Sequence, residues 1–126
     1  MAGIPGGFTK SGPFNGSVLT GAGPGGGPHV RVFGSNGIGS IEFFAFDPSF
    51  RGGVSVAYNP GHLQDLNNSP YITAPMSNGV PVVQFHDVTG KPTTSFFAYD
   101  QRFQGGVNLA VKPLGSNGHY VLFTGA

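Results

Sequence analysis

One offset constrains this chain more than any composition does. Residues 43–60, FFAFDPSFRGGVSVAYNP, realign with residues 96–113, FFAYDQRFQGGVNLAVKP, at a constant spacing of 53 residues. The register continues upstream without a gap, pairing Thr20 with Thr73, Pro28 with Pro81, Val30 with Val83 and Gly37 with Gly90. Across Thr20 to Pro60, 15 of 41 aligned positions are identical, too many for shared composition in an ungapped register. The chain therefore reads as a tandem duplication, with unit 1 over 14–69 and unit 2 over 70–126 within a single domain spanning 1–126. The C-terminal GHYVLFTGA also resembles NGSVLTGA near the N-terminus, so the segment 14–22 has an equivalent after each unit.

Each unit carries four short apolar runs separated by turn residues. The patterns predict strands near 17–20, 29–33, 41–46 and 54–58, with equivalents near 70–73, 82–86, 94–99 and 107–111. In HVRVF, Val30 and Val32 alternate with His29, Arg31 and Phe33, the period of a half-buried strand. Asn-Gly pairs at 15–16, 36–37, 78–79 and 117–118 suit the positive φ of tight hairpins. Four strands in about 50 residues is the size of one propeller blade. The expected fold is all-β, with two tandem four-stranded antiparallel propeller-blade-like units.

Composition agrees and removes several function classes. The 23 Gly and 11 Pro rule out a long-helix protein, while the clustering of apolar residues in patterned runs argues for order. Six Lys and Arg, scattered singly at a net charge of +1, form no stripe for a polyanion, so nucleic acid is not an expected partner. A surface with 9% charged residues has little repulsion to keep copies apart. No apolar run is long enough for a membrane span, and the N-terminal residues lack the charged and apolar regions of a secretory leader. With no cysteine, functions that depend on a thiol are excluded and the redox compartment stays open.

TGAGPGGGPHVRVF together with FFAFDPSFRGGVSVA resembles the FG-GAP-type, integrin-α-like β-propeller repeats of large bacterial surface and secreted proteins. The similarity covers nearly all of residues 14–126. It implies blades stacked side by side, an extracellular or cell-surface location, and a calcium loop in the linker before the next strand. In this chain that linker keeps only Asp65, Asn67 and Ser69, and Tyr71 stands where an acidic residue would precede Ile72. Calcium prefers six to eight oxygen ligands, carboxylates among them, so the expectation is no cofactor. Asp65 and Asn67 are the residues that a degenerate calcium site would use.

Other candidate sites reduce to architecture. The G-x-G-x-x-G at Gly21, Gly23 and Gly26 is followed by Pro28 and a strand rather than a helix, so it lacks the context of a phosphate loop. His29, His62, His86 and His119 are not spaced as ligand pairs, and His29 aligns with Val82 and His86 with Phe33; they read as strand-surface residues. Asp47 and Asp100 recur in both units before a Gly-Gly, which suits Asx turns better than acid-base work. No Ser-His-Asp arrangement repeats, and the chain is not expected to be an enzyme. Asn15 and Asn67 head N-x-S sequons.

The aromatic positions held in both units are Phe43, Phe44, Phe50, Phe96, Phe97 and Phe103. Successive residues in a strand face opposite ways, so one Phe of each adjacent pair is expected to be buried, in the core or between blades. A ring needs about four blades or more, and two leave flanks uncovered. The expected function is therefore structural: self-assembly with copies of itself, head-to-tail, into a homo-oligomer, filament or tube. Those phenylalanines, with Gly25, Gly26, Val121 and Leu122, are the expected assembly residues. The alternative is a propeller-type binding module for a glycan, a protein or a calcium-dependent ligand, completed by oligomerisation.

Overall fold

The computed structural model describes residues 18–34, 39–59, 69–114 and 119–126. Nine strands occur among them: β1 (Val18–Gly21), β2 (His29–Phe33), β3 (Gly39–Phe44), β4 (Val54–Tyr58), β5 (Tyr71–Pro75), β6 (Val82–His86), β7 (Pro92–Phe97), β8 (Asn108–Leu114) and β9 (His119–Gly125). All pairings are antiparallel, in three sheets ordered β1-β2-β3, β4-β5-β6-β7 and β8-β9. The chain is all-β, but its sheets hold three, four and two strands rather than four and four.

That difference arises at the segment joining β3 to β4. There the chain leaves β3 through a turn closed by the Phe50 N–H to the Asp47 carbonyl, 2.9 Å. It then passes Gly52 and Gly53 and enters the next sheet, where β4 pairs with β5 from Val54 opposite Pro75 to Tyr58 opposite Tyr71. Gly53 makes this change of sheet possible, because its φ of +87° is open to glycine and a Cβ there would meet Pro24 at 2.9 Å. Gly106 repeats the conformation at φ +100° before β8. Hence the fourth strand of each sequence unit opens a new sheet instead of closing its own.

Hydrogen bonds across these turns recur at the 53-residue spacing. The Val54 N–H donates to the Ala22 carbonyl at 2.9 Å and the Val107 N–H to the Pro75 carbonyl at 3.0 Å. Likewise Gly25 N–H reaches Arg51 O at 2.8 Å, and Asn78 N–H reaches Gln104 O at 3.0 Å. The irregularity between Val32 and Phe33 has its counterpart between Phe85 and His86. Strand β9 pairs with β8 as β5 pairs with β4: Val56 opposes Thr73, and Leu109 opposes Thr124.

The sheets pack in series, with β4 against β1 and β2, and β8 against β4 and β5. Alternation decides which side chains fill the two layers between them. Leu19, Val30, Val32 and Ala45 meet Val54 and Tyr71 in the first layer. Ala57, Ile72, Ala74, Val83 and Phe85 meet Val107 in the second, flanked by Leu109, Val111 and Leu122. Strand β5 is buried along its whole length because a sheet covers each of its faces. At the edge of the same sheet, β7 is exposed along its whole length.

Candidate functional site

The layer between the first two sheets shows how one sheet recognises the next. Phe43 shares a sheet face with Val30, its partner across β2 and β3, and both point toward the second sheet. Its ring lies 4.7 Å from that of His86 and 5.9 Å from that of Tyr71. Beneath it, Gly90 stands at φ +92°, and a Cβ there would come within 2.6 Å of the Phe43 ring. Glycine therefore forms the floor of this socket on both steric and conformational grounds. Alongside, Gln84 Nε2 donates to the Ala45 carbonyl at 2.7 Å, tying β6 to the end of β3.

His86 is fully buried here, not on a strand surface as its sequence context suggests. The reason is that β6 lies under the first sheet. Its Nδ1 is 3.1 Å from the Gly90 carbonyl and its Nε2 is 2.8 Å from the Thr73 hydroxyl. A carbonyl only accepts, so the neutral ring carries its proton on Nδ1 and takes the Thr73 hydroxyl hydrogen on Nε2. Burial pushes the imidazole below its ordinary value, opposed by the Gly90 hydrogen bond and the Asp87 carboxylate.

The other sequence-derived candidates separate into several environments. Phe50 is half-buried and meets Phe46 edge-on at 5.4 Å, and Phe103 meets Tyr99 edge-on at 5.6 Å. Phe44 is 53% exposed beside His29, while Phe96 and Phe97 are 46% and 48% exposed. The expectation that one Phe of each adjacent pair is buried thus fails for the second pair. Phe96 shares its face with Val83, toward the third sheet, and that sheet has only two strands among the described residues, too few to cover β7. Gly25 and Gly26 lie exposed in the β1–β2 connection, and the Gly25 N–H bonds Arg51. Leu122 packs against the second core layer, and Val121 is half-exposed on the opposite face of β9. Asp65 and Asn67, like His62, lie outside the described residues.

Asp47 and Asp100 close equivalent turns. Asp47 Oδ1 accepts from the Ser49 N–H at 2.9 Å, and Asp100 Oδ1 from the Arg102 N–H at 2.9 Å. The Ser49 hydroxyl and the Arg102 guanidinium, respectively, then hold each carboxyl below the usual range. Asp87 does the same in the β6–β7 hairpin with Thr89 and Lys91. All three carboxylates are engaged in turn geometry. Among the described residues, no three His, Asp or Glu cluster as a metal site would require.

Sequence reasoning missed the receiving half of the interface: Tyr71, Gln84, His86 and Gly90. One signal was present, since Gly37 and Gly90 match across the units. It also missed the outer face of the first sheet. There His29 Nε2 lies 2.7 Å from Glu42 Oε1, and the Arg31 guanidinium sits 4.7 Å over the Phe33 ring. A scan against protein-family models, a search of curated proteins and a search of solved structures each returned no match.

Proposed function

We propose that this chain is a non-enzymatic structural protein whose blade-like β-sheets, of the FG-GAP type suggested by its motifs, assemble copies head-to-tail. One comparison carries this reading. Ile72 is 0% exposed between the second and third sheets, whereas Phe123, at the equivalent place on β9, is 50% exposed on the outer face of the third. A position that is core in the middle of the stack is thus a large aromatic group left open at its end. Exposed aromatic surface of this kind is favourable to cover, and low charge removes the usual opposition to covering it with another copy.

A contact that joins one end of the stack to the other is heterologous, so it closes into a ring or runs on as a filament or tube. The extracellular setting rests on the motif resemblance alone. Negative-stain microscopy of the purified chain tests the reading: closed rings or continuous filaments built from it are expected. A field of single small particles at high concentration would overturn it.

A further inference from the structure

We infer that the surface around Phe96 is a docking site for β2 of a second copy of this chain, with Arg31 and Phe33 of that copy as its contacts. This rests on the self-assembly reading above and specifies which surfaces meet. The template is the contact already present between the first two sheets. There β3 gives Phe43 and the Ala45 carbonyl, and β6 receives them with His86 and Gln84. At the 53-residue spacing, the giving groups become Phe96 and the Ala98 carbonyl, and the receiving ones become Phe33 and Arg31.

Both halves of a second such contact are therefore in the chain, one on the outer face of the first sheet and the other on the face of the second sheet that looks toward the two-stranded third. Phe96 is half-exposed with no strand of the β6 kind opposite it among the described residues. Arg31 is exposed on the outer face of the first sheet, over Phe33. When the two meet, Arg31 takes the place of Gln84 and donates to the Ala98 carbonyl, while Phe33 stacks on Phe96 as His86 stacks on Phe43.

The strands next to this contact fit the same arrangement. β9 resembles β1 in sequence and pairs with β8 in the register that joins β5 to β4. In a head-to-tail contact, β9 either displaces the second copy's β1 and pairs with the edge of β2 so freed, or that copy's β1 replaces β9 beside β8. Both outcomes bring β2 over Phe96. The contact is the same whichever strand is retained.

Phe97 provides an internal control. It shares a face with Val82 and Gln84, toward the first sheet, and stays 48% exposed although that sheet is in place. Its equivalent Phe44 is exposed to a similar degree with no sheet before it. Sheet stacking therefore does not cover this position, and Phe96 and Phe97 have different roles despite adjoining one another.

Site-directed cross-linking reads the contact directly, because the chain has no cysteine of its own. Phe33→Cys and Phe96→Cys proteins are mixed and treated with a short bis-maleimide. The expected product is a mixed covalent dimer, absent when Phe96→Cys is mixed with Gln101→Cys. In parallel, Phe96→Glu is expected to weaken association at least about tenfold by placing a charge in the contact, with Phe97→Glu near wild type. Circular dichroism verifies that each variant remains folded. Phe96→Ser serves as a second test if Phe96→Glu does not fold. Assembly that persists in the Phe96 variants, with no Phe33–Phe96 cross-link, would overturn this interface and leave self-assembly standing. A wild-type chain that stays monomeric would overturn both.

Discussion

His86 shows how one side chain can report the packing of two sheets. Its folded form resists protonation because the ring is buried, whereas the unfolded chain takes up a proton near the ordinary histidine value of about 6.5. The unfolded state then binds more protons between the lowered folded value and about 6.5, so stability rises with pH across that window. The contribution is complete above about pH 6.5 and is lost as pH falls through the window. Thermal melts are expected to show a falling Tm from about pH 7 to pH 5, with a shallower slope in His86→Phe, which removes the titrating group. An unchanged slope would show that His86 is not buried as described. Asp47, Asp87 and Asp100, all held low by turn hydrogen bonds, lose their contribution only below about pH 4, outside this window. Ile72, fully buried between sheets two and three, gives a second test at this scale. Ile72→Ala is expected to cost about 2–5 kcal/mol in chemical denaturation, while Phe123→Ala, at the open equivalent position, costs much less in the isolated chain.

Among the elements, the turn from β3 into β4 decides the architecture. Gly53→Ala and Gly106→Ala both place a Cβ at positive φ, and at Gly106 it would collide with the Met76 carbonyl oxygen. Each is expected to destabilise the fold by about 1–3 kcal/mol, read from the denaturant midpoint. A neutral result would mean that the segment relaxes without disturbing the sheet stack. The same turn marks the limit of what the sequence conveys. Alternation in HVRVF locates β2 to the residue, because a half-buried strand writes its two faces into its own pattern. VSVAY locates β4 only as an apolar run after Gly-Gly, since that strand packs on both faces, Val54 and Val56 in the first layer and Ala57 in the second. Nothing in VSVAY says that it pairs forward with Tyr71–Pro75 rather than backward with β3, since pairing is a long-range choice set by the Gly-Gly turn. The burial of His86 is equally illegible in the sequence: β6 is covered on both faces, Val83 and Phe85 in the second layer and His86 under Phe43, and nothing in VVQFH says that its polar face meets a sheet rather than solvent. The sequence did show that Phe43 and Phe96 are equivalent. Only the three-dimensional arrangement shows that one is seated against His86 while the other is open.

For the whole molecule, the three sheets form a stack whose first layer is closed over Phe43, whose second is closed over Ile72 and Val83 but open over Phe96, and whose outer faces carry equivalents of the buried positions. Val30 and Val83 occupy matching places in successive layers, as do Val54 and Val107, so one packing rule serves both. Applied once more, that rule is the one the proposed second copy would follow. Association driven by such apolar layers is expected to be retained at high salt, because little of it depends on exposed charge. Dissociation on adding salt would point instead to the His29–Glu42 face. Sedimentation velocity of the wild-type chain, from micromolar to near-millimolar concentration, tests the central claim most directly. Head-to-tail stacking predicts a weight-average sedimentation coefficient that climbs with concentration, either to a fixed ring or without limit. A single species of monomer mass across the whole range would contradict it.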